Sequence, residues 1–281
     1  MHPLQSCFVS FYEQARHAIY TCGKIVVAVG GSLGADFNLV FDLSSIAGPK
    51  SHEMSLKQAL RHVSQANKID FLYVAPADRK EKIQSILEDN HFQKVGQATC
   101  VSFDHASLQK DTKKQDAYVV KRVQDVEALK KGCAMIDEAF RLPEGDALKV
   151  YGPAINYVLS SETRHPLYIL YEAQTQEPVS IAMLYLPEDK DEPAGHFCWG
   201  TRAHYRKKGA MSFLVQKMLH IAANKGYKRS VAQCYETSLR LAQKLGFQTQ
   251  GILDVYANSG RGTQATWFFR IAPHGLIGRL G

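Results

Sequence analysis

The stretch from residue 195 to 219, GHFCWGTRAHYRKKGAMSFLVQKML, constrains this chain more than any other. It reads as a strand ending near Thr201, a basic turn, and a helix opening at Gly209. The first N–H groups of a helix have no partner inside it and carry a positive partial charge. A basic turn feeding that end suits an anionic group such as a pyrophosphate. Gly209, without a Cβ, lets the backbone approach such a group closely. Arg206, Lys207 and Lys208 add positive potential at the same place, within a chain of net charge +7. Taken alone, Arg-Lys-Lys-Gly before a helix is equally well a solvated surface turn.

The neighbouring segments define a wider order. A strand over 117–123 is followed by helices over 125–140 and 153–159. Strands follow at 167–173, 178–186 and 196–201. Then come the helix from Gly209 to Asn224, a strand over 228–235, and a helix over 237–245 closed by Gly246. A strand pair, 248–256 and 263–271, ends the series. The order β-α-α-β-β-β-α-β-α-β-β predicts a mixed α/β sheet covered by helices.

The first 106 residues read as a second compact region. A helix is expected over Leu4–Tyr20. An apolar then glycine-rich run follows over Lys24–Gly34. Strand 37–43, helix 53–66, strand 70–75, a helix from the Asp78/Glu81 capping box to about Asn90, and strand 93–104 complete it. Gly30-Gly31-Ser32-Leu33-Gly34 reads as a plain loop. The polar stretch SLQKDTKKQD over 107–116 reads as a linker between the two regions.

Composition excludes several classes. Apolar residues make up 45% of the 281 residues, enough for a core. No apolar run reaches the length of a membrane-spanning helix, and the N-terminal residues lack the basic-then-apolar pattern of a secretory signal. The six cysteines are scattered without a Cys-x-x-Cys pair, so neither a disulfide framework nor a zinc site is expected, and the setting reads as cytoplasmic. No metal site is expected. The basic excess is mild, without aromatic interleaving, so a nucleic-acid partner is not expected.

The segment Arg206-Lys207-Lys208-Gly209-Ala210-Met211, together with Leu245-Gly246-Phe247 at a helix end, resembles the GNAT superfamily of acyl-CoA-dependent N-acyltransferases. Its central motif is Arg/Gln-x-x-Gly-x-Gly/Ala. The likeness covers about 117–272, leaving 273–281 as a tail. The helix and strands over 83–104, with His91-Phe92 where Gly-Phe would stand, echo the end of the same fold. The first half is therefore expected to be a degenerate GNAT-like unit, in tandem with the second.

This resemblance implies a cosubstrate, acetyl-CoA, and a primary-amine acceptor, either a small molecule or a protein. The backbone of Trp199, Gly200 and Thr201 would pair with the pantetheine amides. The turn from Arg206 through Lys207, Lys208, Gly209, Ala210, Met211 and Ser212 would hold the phosphates. Met211 departs from the small residue of the family pattern. Ala242 stands where many members place a tyrosine that protonates the departing thiolate. His196, on the central strand, and Tyr235, ahead of the last helix, are the remaining candidates for acid–base work. Cys198 and Cys234 read as packed thiols. Two functions follow: an N-acetyltransferase, or a catalytically impaired CoA-binding regulator or adaptor that docks a macromolecular partner. A homodimer is left open.

Overall fold

The computed structural model describes residues 10–14, 18–22, 25–29, 38–42, 49–65, 72–76, 80–109 and 117–258. Their strands are β1 (Ala18–Cys22), β2 (Ile25–Val29), β3 (Asn38–Asp42), β4 (Leu72–Pro76), β5 (Phe92–Asp104), β6 (Tyr118–Arg122), β7 (Leu167–Glu172), β8 (Pro178–Tyr185), β9 (Ala194–Thr201), β10 (Arg229–Cys234) and β11 (Gln248–Asn258). Helix α1 is Pro49–Gln65 and α2 is Lys80–Asp89. After β6 come α3 (Val126–Phe140), α4 (Asp146–Tyr151) and α5 (Ile155–Leu159). Helix α6 (Ala210–Asn224) joins β9 to β10, and α7 (Glu236–Lys244) joins β10 to β11. Residues 10–14 are also helical.

All eleven strands form one sheet, in the order β1-β2-β3-β4-β11-β5-β10-β9-β8-β7-β6. Its centre is an exchange. Strand β5, from the first half of the chain, lies between β10 and β11 and is antiparallel to both. Strand β11, from the second half, lies between β5 and β4 and is antiparallel to both. On either side sits a parallel pair, β3 with β4 and β9 with β10. The order β-α-β-α-β from β3 to β5 therefore recurs from β9 to β11.

Local chemistry repeats as well. Two residues beyond the end of α2 stands His91, with φ +64°, and two beyond the end of α7 stands Gly246, with φ +96°. Both left-handed residues precede a buried phenylalanine: Phe92 opens β5, and Phe247 immediately precedes β11. A buried carboxylate pins the exchange. Asp254 on β11 is paired with the Lys94 ammonium at 2.5 Å and accepts from Gln97 Nε2 at 2.8 Å, both on β5. A partnered buried charge of this kind fixes register, because slippage would leave it uncompensated.

The two faces of the sheet are covered differently. Helices α1 and α2 bury Leu56, Leu60, Ile83 and Leu87 against one face of the first-half strands. The opposite face joins a core that runs through both halves. There Phe11, Tyr12, Leu39 and Val74 pack with Leu129, Ile136, Tyr151, Met183 and Phe197. Helix α3 opens at Asp125, whose carboxylate accepts from Ala128 N–H at 2.8 Å, a conventional N-cap.

The structure departs from the sequence reading at four places. The helix expected through Tyr20 gives way to β1, where Ala18–Cys22 pairs with β2. Its β-branched and aromatic residues fit a pleated surface better than a helix end. Helix α4 was not foreseen. Asp137 nucleates it by accepting from the N–H groups of Gly145 and Ala147 at 2.8 and 2.9 Å. The helix expected from Pro153 begins at Ile155. The partners of β11 are β4 and β5, while the strand expected over 263–271 lies outside the described residues. The glycine run at 30–34 and most of the expected linker also lie outside them.

The exchange has a direct consequence. A chain beginning at residue 110 loses β5 and exposes the edges of β10 and β11 together. Such edges aggregate rather than fold. Expressed alone, it should give no cooperative thermal transition by circular dichroism, whereas the full chain gives one.

Candidate functional site

Strand β9 runs to Thr201 and its parallel neighbour β10 to Cys234. Their pairing nevertheless stops at His196 opposite Ala232. Beyond that point the strands part, and a cavity of about 640 Å³ opens between them. Its walls include Phe197 to Thr201 from β9, Gln233 and Tyr235 from the end of β10, and Thr237, Ser238 and Leu241 from α7.

The β9 side is further shaped by a bulge. Ile181 of β8 lies opposite Gly200 and Met183 opposite Phe197, so Cys198 and Trp199 share the place of one residue. Cys198 takes φ +54°, a left-handed conformation that costs a side-chain-bearing residue energy and is found where a site needs it. Gly200 follows. A Cβ there would lie 2.9 Å from Ala139 Cβ and 3.2 Å from Ile181 Cγ2, so only glycine lets α3 close over this end of β9.

At the mouth, the basic turn leads into α6. Gly209 is its N-cap, with φ +83° and no side-chain cap, and Lys207, two residues earlier, has φ +63°. The first N–H groups of a helix this long point out unpaired by the chain, and Gly209 presents open space on its Cβ side. Arg206 holds the turn in shape. Its Nε donates to the Thr201 carbonyl at 3.0 Å and its Nη2 to the Ala139 carbonyl at 3.3 Å. Lys208 Nζ lies 5.4 Å from the Tyr205 ring centroid. Met211 packs its side chain between two apolar clusters. The geometry fits a phosphate-bearing ligand whose extended arm runs between the parted strands.

Of the residues singled out from sequence, His196, Trp199, Gly200, Thr201, Arg206, Lys207, Gly209, Ala210, Met211, Ser212 and Tyr235 line this cavity, and Lys208 does not. Ala242 does not line it either. It is fully buried against Val101, Phe103 and Phe247, and the helix face that reaches the cavity carries Ser238 and Leu241.

His196 is only 2% exposed and sits in a chain of polar groups. Its Nε2 lies 3.0 Å from Ser230 Oγ, which lies 2.8 Å from His105 Nε2. His105 Nδ1 lies 2.6 Å from the Tyr227 carbonyl. That carbonyl can only accept, so His105 Nδ1 donates and its Nε2 keeps a lone pair. Ser230 donates to that lone pair, and His196 Nε2–H donates to Ser230. His196 Nδ1 is thus left a bare lone pair, and it has no hydrogen-bond partner among the described residues. Burial, reinforced by His105, pushes the His196 imidazole down to about 3. Burial also lowers His105, against the Tyr227 hydrogen bond. Both rings are neutral at physiological pH. Phe247, the phenylalanine of Leu-Gly-Phe, packs edge-on to His196 and Trp199 with centroids 6.1 and 6.0 Å away.

Sequence reasoning points to the first half of the chain as a wall of the acceptor site but names none of its residues. Phe11 and Tyr12 from the helical 10–14 segment, Leu39 of β3 and Val74 of β4 close the cavity from the first half of the chain. Tyr151 Oη lies 3.4 Å from Cys198 Sγ at this end, and burial raises both groups, so the thiol stays protonated and is no nucleophile. No local signal marks these residues, because each is an apolar or aromatic residue of an ordinary core element. Among the described residues no cluster of His, Cys, Asp and Glu could hold a metal, and no helix is long and apolar enough to cross a membrane.

Residues 134–247 match the family model of the acetyltransferase (GNAT) family. No curated protein matches the sequence. Among solved structures the chain is similar to a GCN5-related N-acetyltransferase from Kribbella flavida, with TM-score 0.65 and 11% identity over 92% of this chain and 95% of that one. A GCN5-related N-acetyltransferase from Sphaerobacter thermophilus gives TM-score 0.60 at 10% identity, covering 83% and 76% of the two chains. A tandem GNAT protein from the clavulanic acid biosynthesis pathway gives TM-score 0.56 at 10% identity, covering 83% and 77%. At these identities the likeness is one of fold, and the fold is that of the GNAT proteins.

Gly209 offers the sharpest local test of the turn. Alanine meets no steric obstacle there except its own backbone, since φ is +83°. The left-handed conformation should cost Gly209→Ala about 1–2 kcal/mol of stability, read as a lowered denaturation midpoint with an unchanged slope.

Proposed function

From a chain that carries a GNAT-family domain at residues 134–247, we propose an N-acetyltransferase that moves an acetyl group from acetyl-CoA to a primary amine. The observation that carries this reading is the parting of β9 from β10 beyond His196, beside the uncapped N-terminus of α6. Parted strands leave backbone groups that a peptide-like pantetheine arm can satisfy. The backbone of Trp199, Gly200 and Thr201 takes that arm. The N–H groups from Lys207 to Ser212 take the pyrophosphate, with Arg206, Lys207 and Lys208 supplying positive potential.

Bound acetyl-CoA supplies an activated acyl group, so that the amine nitrogen gains a bond to the acyl carbon, the carbon–sulfur bond breaks, and the proton lost by nitrogen is balanced by one gained at sulfur. Strand N–H groups at the Cys198–Trp199 bulge or at Gly200 polarise the acyl carbonyl. Tyr235, in the cavity wall at the start of α7, is the proton donor for the departing thiolate. It replaces the tyrosine that Ala242 lacks.

His196 is the proton acceptor, and its burial dictates how it can act. An imidazole this weakly basic cannot store a proton. It can pass one, taking a proton at Nδ1 while Nε2 releases one to Ser230 and Ser230 one to His105 Nε2, where the partly exposed ring carries the charge as an imidazolium until solvent takes the proton. No charge accumulates in the buried ring at any stage. His105 and Ser230 are positioning residues, acting through His196.

Isothermal titration calorimetry with acetyl-CoA tests the cosubstrate, and saturable binding weakened by Gly209→Ala is expected. Ser230→Ala tests the relay. Its kcat should fall by about 100-fold, as for loss of one acid–base group, with KM for acetyl-CoA unchanged. The solvent isotope effect should fall toward that of a single transferred proton. An unchanged kcat would remove His196 from the chemistry. Tight acetyl-CoA binding without CoA release from any amine would instead support a second reading, a CoA-binding regulatory or adaptor protein. The alanine at 242 favours that reading.

A further inference from the structure

The cavity has two chemically distinct ends. The cradle end carries Arg206 and Lys207, and these are the only charged side chains among its described lining residues. No aspartate or glutamate lines it among those residues. The far end is walled by Phe11, Leu39, Val74, Phe140, Val150 and Met183. Among the described lining residues its polar groups are the Tyr12 and Tyr151 hydroxyls and the Cys198 thiol. Burial raises all three, so all stay neutral.

We propose that this far end selects a weakly basic primary amine on an apolar body of about aromatic size, and rejects strongly basic, cationic amines such as polyamines, aminoglycosides and lysine side chains. The inference rests on the acetyltransferase reading above and narrows its acceptor. Two observations support it. An ammonium brought into an apolar chamber whose described residues offer no carboxylate pays an uncompensated desolvation cost. The buried His196 is too weak a base to take a proton from an alkylammonium on entry, and no carboxylate stands beside it among the described lining residues. A weakly basic amine arrives already neutral, with its lone pair free to attack. Its apolar body gains by burial against Phe11, Leu39 and Val74. These three residues come from the first half of the chain, which supplies the acceptor wall while the second half supplies the cradle.

The test uses the full chain saturated with acetyl-CoA and measures CoA release with 4-methylaniline, 2-phenylethylamine, spermidine, kanamycin and Nα-acetyl-lysine amide. The kcat/KM for 4-methylaniline should exceed that for spermidine and Nα-acetyl-lysine amide by at least about 100-fold, as expected for exclusion of an uncompensated charge. 2-Phenylethylamine should fall between them. Calorimetry on the protein saturated with CoA gives a readout free of turnover. 4-Methylaniline should bind with a negative heat-capacity change, and spermidine should not bind. Phe11→Ala lies outside the sheet and enlarges the chamber. It should move the preference from 4-methylaniline toward 2-naphthylamine.

Spermidine or the lysine amide matching 4-methylaniline would overturn the inference and leave the acetyltransferase reading intact. Acetyl-CoA binding with neither binding nor turnover of the apolar amines would overturn it as well. So would rates that climb with acyl-chain length whatever the amine, since the chamber would then hold the acyl group. Failure of acetyl-CoA itself to bind would instead overturn the reading on which the inference rests.

Discussion

Backbone hydrogen bonding across the exchanged pair β5 and β11 is the constraint on which the rest depends. Strands donate and accept in fixed register, so placing β5 between β10 and β11 ties the two halves into one sheet. The Asp254 carboxylate, held by Lys94 and Gln97, makes any other register costly. Two consequences reach the cavity. The first-half strands present Leu39 and Val74 on the face that continues into the second-half core. The end of β5 also delivers His105 beside β10, where its N–H donates to the Lys228 carbonyl at 2.9 Å and its ring reaches Ser230.

The parting of β9 from β10 works in the opposite sense, by withholding hydrogen bonds. A sheet interior normally pairs every backbone group, and unpaired buried groups are costly. Here pairing is given up beyond His196. The Cys198 bulge and the closeness of α3 at Gly200 hold the strand end away from its neighbour. Stability is thus concentrated in the exchanged pair and relaxed at the site. A ligand with amide groups of its own recovers the hydrogen bonds that the sheet forgoes there.

How much of this could be read from residues alone follows from the range of the interactions. The strand–turn–helix at 195–219 was legible because each signal in it is local: alternation, a basic turn, a glycine at the helix start. Leu245-Gly246-Phe247 was legible for the same reason, and so was the echo at His91-Phe92. The exchange was not. Which strand β5 pairs with is decided by contacts between residues as distant as Lys94 and Asp254, and no periodicity within either strand records it. The bulge at Cys198 was also hidden, since nothing in HFCWGT marks a left-handed cysteine. Tyr20 was misread because a helical period carries straight on into a short strand whose pairing with β2 lies outside any window. His196 was picked for its intrinsic basicity, and that was the property burial removed.

That last point changes what a buried histidine implies. On intrinsic pKa, His196 is a base waiting for a proton. In its place it is a neutral ring whose orientation is dictated from outside. The Tyr227 carbonyl sets the tautomer of His105, His105 sets the direction of the Ser230 hydroxyl, and Ser230 sets the tautomer of His196. The lone pair at Nδ1 is therefore the result of a carbonyl three hydrogen bonds away. Desolvation weakens the ring as a proton store, yet it leaves proton passage intact, because passage needs no net charge. On the acetyltransferase reading proposed above, burial of His196 would bear both on how a proton is handled and on which amine could be used.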